Sequence, residues 1–77
     1  MMDDGFEPTA QVSLGLYRHY KGNLYEVIAV GRHSETLEEL VVYRAQYGKR
    51  RVWVRPAAMF LEEVDGKPRF ERVAEGV

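Results

Sequence analysis

From Leu14 onward, apolar and polar residues alternate in short runs, and turn-forming residues rather than helical spacing separate the runs. Leu16-Tyr17-Arg18-His19-Tyr20 reads as a first strand and Leu24 to His33 as a second. Gly22-Asn23 between them suits a two-residue hairpin loop, because both residues tolerate positive φ. That loop sets Tyr20 against Tyr25 and His19 against Glu26. Val27-Ile28-Ala29-Val30 is apolar on both alternating faces, the pattern of a strand that bends mid-sheet or is covered on both sides. Ser34 to Glu39 breaks the pattern with polar residues, and Thr36 followed by Glu39 could cap a single helical turn.

Leu40 to Tyr47 resumes strand character, Gly48-Lys49 offers glycine at the first central position of a type II′ turn, and Arg50 to Arg55 returns. The register past Gly48 decides which side chains share a face. A two-residue loop pairs Ala45 with Val52 and Tyr43 with Val54 on a core face. It sets Arg44 opposite Trp53 and Gln46 opposite Arg51 on the other face, so that Arg44, Arg51, Trp53 and Arg55 lie together. A three-residue loop instead puts Trp53 beside Ala45, near Tyr43 and Tyr47. The two-residue loop is preferred, because the alternative strands Arg44 and Gln46 beside Val52 and Val54.

Pro56 lacks a ladder donor and ends the fourth strand at Arg55. Ala57 to Phe60 fits one helical turn with Met59 and Phe60 turned inward. Leu61 to Val64 then makes a fifth strand, Asp65 to Pro68 a turn, and Arg69 to Val73 a sixth strand carrying Phe70. The pattern predicts a mainly β domain over residues 14–77, a small SH3-like antiparallel barrel or roll of five to six short strands with one short helical turn. A flexible acidic leader is expected at 1–13. The rival architecture is an open sheet with a longer helix at 34–40.

Composition narrows the function classes. With 77 residues the chain is one small domain that buries only about 60% of its unfolded surface on folding. It has no cysteine, which excludes disulfides and thiolate metal sites and fits a cytoplasmic location. Its longest purely aliphatic run is far below the roughly 20 residues of a membrane helix, and the N-terminus lacks the regions of a secretory signal. His19 and His33 are the only imidazoles and match no zinc spacing. No cofactor, metal or phosphate-loop motif is present, and no constellation marks a catalytic site.

The net charge of -1 hides segregation into blocks. Acids gather at Glu35, Glu38 and Glu39, and five bases crowd Arg44 to Arg55 around the single tryptophan. Two candidate sites follow. The first is the basic and aromatic face of Arg44, Arg51, Trp53 and Arg55, where a ring and guanidinium groups could accept a nucleobase and its phosphates. The alternative is that the tryptophan is buried and the arginines pair with Glu35, Glu38 and Glu39. The second site is the loop His33-Ser34-Glu35-Thr36. Adjacent residues of an extended chain point to opposite sides, so His33 and Ser34 do not form a base and nucleophile. A polar turn capped by Ser34 or Thr36 explains the same residues.

Four linked segments carry a resemblance: Tyr17 to Asn23, His33 to Glu38, Val42 to Gly48, and Trp53 to Pro56 with Met59-Phe60. Together they resemble the DUF1653 family, a small bacterial domain of unknown function. The resemblance spans roughly residues 14–64 and implies an SH3-like barrel roll, with no activity to carry over. The expected function is therefore a non-catalytic binding module for an anionic partner, single-stranded nucleic acid or a nucleotide, at the basic and aromatic face. Alternatives are a protein-interaction module using the five tyrosines or an open strand edge, and an enzyme acting through His33 and Glu35.

Overall fold

Glycines at positive φ close the two ends of a meander. The computed structural model describes residues 12–73; the rest of the leader expected at 1–13 and the last four residues lie outside the described residues. β1 (Gly15–His19) and β2 (Leu24–Arg32) pair antiparallel with Tyr17 opposite Tyr25 and Arg18 opposite Leu24. The loop is therefore Tyr20-Lys21-Gly22 rather than Gly22-Asn23. Gly22, at φ 108, donates to the carbonyl of His19, and His19 donates to Asn23. A turn followed by a glycine of positive φ is the usual three-residue hairpin loop. The expected pairs of Tyr20 with Tyr25 and His19 with Glu26 do not form.

β2 bends as its two-sided apolar run predicts. Against β3 (Glu39–Ala45), Val27 stands opposite Tyr43 and Ala29 opposite Val42, so Ile28 is the extra residue of a bulge. The polar segment before β3 is a loop without a helix. His33 and Glu38 close it with a backbone bond of 2.8 Å.

The hairpin from β3 to β4 (Val52–Pro56) departs from both registers considered. Tyr43 faces Trp53, Val42 faces Val54 and Arg44 faces Val52. The turn itself sits where the sequence puts it: Gly48 has φ 57, and Arg50 donates to the carbonyl of Tyr47. Between that bond and the one from Ala45 to Arg51, the chain advances two residues on the β3 side and one on the other. Arg50, at φ 54, absorbs the mismatch. The consequence is that Arg51, Trp53 and Arg55 share the face of Tyr43 and Ala45, while Arg44 points to the opposite one.

Pro56 is the last residue of β4, tolerated there because β4 is an edge strand. It leads into α1 (Ala57–Phe60), one turn closed by Leu61 donating to Ala57. Ala57 and Phe60, three apart on that turn, are buried, whereas Met59 is 44% exposed. The expected inward Met59 is thus corrected by helical phase. β5 (Glu63–Val64) and β6 (Lys67–Pro68) form a small hairpin, and β7 (Phe70–Arg72) pairs with β1.

The main sheet runs β4-β3-β2-β1-β7, mainly β as expected but open. Its edges β4 and β7 do not bond to each other, so the SH3-like barrel does not close. Side chains fill the gap instead. Phe60 lies at 1% exposure, stacks on Phe70 at 4.2 Å and meets Tyr17 and Tyr43 edge-on. Val27 and Val41 complete the deepest layer. Val12 packs against this core, and Ser13 exchanges hydrogen bonds with the Tyr17 hydroxyl. Among the described residues no helix is long and apolar enough to cross a membrane.

Gly15 opens β1 at φ 128, and an added Cβ would come within 2.8 Å of the Arg72 guanidinium. Because L residues avoid that φ, Gly15→Ala is expected to destabilise the domain by about 1–3 kcal/mol in a urea titration.

Candidate ligand-binding cleft

At the end of the sheet where β1 stops and β2 starts, aromatic side chains emerge from the core in sequence. Phe70 lies under Tyr43 and Tyr25, with ring centroids 5.4 and 5.6 Å away. Tyr25 in turn meets Tyr43 at 5.5 Å and Tyr47 at 5.6 Å, both edge-on. His19 packs on Phe70 at 4.9 Å. These five rings, with Trp53 and Arg55, line an open cleft of about 210 Å³. Its outer walls are Tyr47 and Trp53, which are 44% and 48% exposed.

The geometry follows from the register. Trp53 and Arg55 alternate on β4 toward the concave side, and Tyr43 opposite Trp53 is anchored in the core. Tyr47 belongs to the turn and reaches back to Tyr25, the two hydroxyls 2.5 Å apart. Arg55 Nε donates to the Tyr43 hydroxyl at 3.2 Å, which fixes the guanidinium along the cleft wall. Among the described residues no carboxylate pairs with Arg55 within 4.0 Å.

The charge blocks lie at opposite ends. β3 is seven residues long, so the acids of the β2–β3 loop sit about 20 Å from the basic turn, beyond the Debye length of about 8 Å at physiological salt. Glu39 stands opposite Arg32 across the ladder. The cleft end is electropositive. Burial holds the His19 imidazole below its ordinary value of 6.5, and Arg69, Lys21 and Arg55 lower it further. Burial, then the bond to Tyr47, pushes the Tyr25 phenol up to about 12. Tyr25 therefore stays protonated in its bond with Tyr47.

A depressed histidine has a definite sign. Between its folded value and 6.5 the unfolded chain binds the extra proton, so this contribution to stability is complete above 6.5 and is lost as pH falls through that window. An NMR titration of the His19 ring is expected to show a midpoint below 6.5, which an anion in the cleft would raise. A midpoint at or above 6.5 in the free protein would contradict the electropositive environment.

Of the residues singled out from sequence, Trp53, Arg55 and Arg51 come to this end together. Arg44 does not; it lies on the other face. The loop His33 to Thr36 is at the far end of the sheet. There the His33 Nδ1 accepts the backbone N–H groups of Glu35 and Thr36 at 3.0 and 3.2 Å, and the Thr36 hydroxyl accepts that of Glu38. These groups hold a turn, while Ser34 and Glu35 are exposed. Neither lines the cleft. His19, Phe70 and the grouping of Tyr25, Tyr43 and Tyr47 were not assigned to the site from sequence. Phe70, an isolated aromatic between Arg69 and Glu71, was the available signal.

Fold and site together define a small open-sheet β module with an aromatic cleft under a basic rim. The family model for DUF1653, a protein of unknown function, matches residues 15–72, and the chain belongs to that family. Every cleft-lining residue falls inside the match. A crystal structure of a DUF1653 protein from Bordetella bronchiseptica is similar, with 33% identity, a TM-score of 0.77, and coverage of 87% of this chain and 94% of that one. No curated protein matches the chain.

Proposed function

We propose that the chain is a non-catalytic binding module whose cleft takes an anionic ligand bearing a flat ring, either a nucleotide or single-stranded nucleic acid. The observation that carries this reading is the half-exposed pair of Trp53 and Tyr47 over a cleft whose one permanently charged lining residue is Arg55, held by the Tyr43 hydroxyl and without a carboxylate partner among the described residues. An exposed indole and phenol gain stacking area on a base, and Arg55 disfavours a cationic ligand in the same place. Arg51 and Lys49 extend the positive field outward for a phosphate. The loop acids Glu35 and Glu38 lie at the far end of the sheet, too far away to cancel the field of Lys49 and Arg51.

A second reading rests on the open edge of β4. Val52 and Val54 are 49% and 58% exposed on the face opposite the cleft, and among the described residues no strand lies beside the outer backbone of β4. An extended peptide could add there by backbone pairing. Amide NMR spectra with an added oligonucleotide separate the two. The cleft reading expects shifts at the Trp53 indole, Tyr25, Tyr47 and His19. Shifts confined to Val52 and Val54 would favour the edge, and an unchanged spectrum would remove the nucleic-acid proposal.

A further inference from the structure

The aromatic cleft is the middle of three depressions. One of about 130 Å³ shares Tyr47 and Trp53 with it and adds Lys49 and Arg51. Another of about 390 Å³ shares His19 and adds Tyr20 and Lys67, and it reaches round the end of the sheet to Arg18 and Glu71 on the face that also carries Arg44. A track therefore crosses this end of the molecule, aromatic at its centre and cationic at both ends. Glu71 is the one carboxylate lining it, opposite Arg18 across the β1–β7 ladder. The net charge is thus two positive at the Lys49 end and one positive at the Lys67 end.

We infer that this track takes a single-stranded oligonucleotide rather than a free nucleotide: one base stacks in the cleft, and the flanking phosphates meet Lys49 and Arg51 on one side and Lys67 on the other. The inference rests on the cleft reading above and narrows it. A free nucleotide needs cations on one side of its ring only, and sites that enclose small molecules usually have about 300–1,000 Å³. A cleft of about 210 Å³, open to solvent, seats a base and leaves sugar and phosphate outside. A strand continuing in both directions uses both cationic ends, whereas a duplex keeps its bases stacked inside and cannot fill the cleft. The expected site is short, roughly the lower end of the 4–16 nucleotides that small β domains cover.

The test is a binding series with thymidine monophosphate, oligothymidylates of two, four and eight nucleotides, octauridylate, and a duplex octamer, each at two salt concentrations. Affinity is expected to rise at least tenfold from the monophosphate to the tetramer. The slope of log K against log salt should steepen by about 0.7 for each phosphate gained. Lys67→Ala should flatten the oligonucleotide slope by about 0.7, whereas Arg18→Ala, on the other face of the sheet and opposite Glu71, should leave it unchanged. Tighter binding of either the DNA or the RNA octamer supports the track and identifies the sugar preferred. Equal affinity for monophosphate and octamer, a silent Lys67 variant, or a duplex bound as tightly as the single strand would overturn the track and leave the cleft reading standing only where the monophosphate saturates. No saturable binding of any probe would overturn both.

Discussion

Phe60→Ala is expected to leave the domain largely unfolded at 25 °C, with a loss of about 3–5 kcal/mol. Phe60 is 1% exposed and joins three elements: it stacks on Phe70 of β7, meets Tyr17 of β1 and meets Tyr43 of β3. Because β4 and β7 are not hydrogen-bonded to each other, this ring does what backbone pairing would do in a closed barrel. A chain of this size has about 3–5 kcal/mol of core stability to lose. Met59, its neighbour in sequence, is 44% exposed, so Met59→Ala should change stability by about 0.5 kcal/mol or less. Urea unfolding followed by circular dichroism compares the two. A Phe60→Ala protein that unfolds cooperatively with a loss under about 1 kcal/mol would show that the gap is closed by other contacts.

Trp53→Ala is expected to weaken oligonucleotide binding by about 5- to 150-fold, the range for removing one stacking aromatic worth about 1–3 kcal/mol. The fold should survive, because the indole is 48% exposed and stands at the cleft rim on an edge strand. Arg44→Ala is the informative companion. Sequence alone grouped Arg44 with Trp53, whereas the structure places it on the opposite face, opposite Val52. Its removal should leave affinity within about twofold at physiological salt, since its side chain leaves the sheet on the face away from the cleft. Isothermal calorimetry on the two variants compares them directly, and a larger loss for Arg44→Ala than for Trp53→Ala would put the binding surface on the wrong side of the sheet.

The strands were legible because each is a short alternating run bounded by glycine, proline or a polar cluster. The bend in β2 was legible too, since Val27 to Val30 is apolar on both faces and the bulge at Ile28 uses that. Register was not. At the first hairpin Gly22 serves as the last residue of a three-residue loop, and the sequence Gly-Asn fits either use. At the second, the turn lies at Gly48 as read, but Arg50 takes a positive φ that no arginine advertises. The extra residue on the β3 side moves Trp53 opposite Tyr43. That is two places from the three-residue alternative's partnering with Ala45, and an even shift keeps the face; it is one place from the preferred register, and an odd shift exchanges it.

The candidate site was half legible for the same reason. Trp53 and Arg55 lie on β4, two residues apart, and Arg51 comes two residues before Trp53, so any register keeps them together. Arg44 lies on the facing strand, so its membership depended on register and was lost. His19 and Phe70 reach the cleft only through the pairing of β7 with β1, a contact between distant parts of the chain that local pattern does not encode. The His33 to Thr36 loop looked chemical because a turn and a site draw on the same residue types, and the His33 Nδ1 serves backbone donors.

Trp53 is the sole tryptophan and stands in the proposed contact, so its fluorescence is the most direct measurement of the central claim. Titrating octathymidylate into the wild-type chain at 50 and 200 mM salt should quench the emission to saturation, with weaker affinity at the higher salt. Emission that stays unchanged at both salts, while the protein remains folded, would contradict a ligand in the cleft.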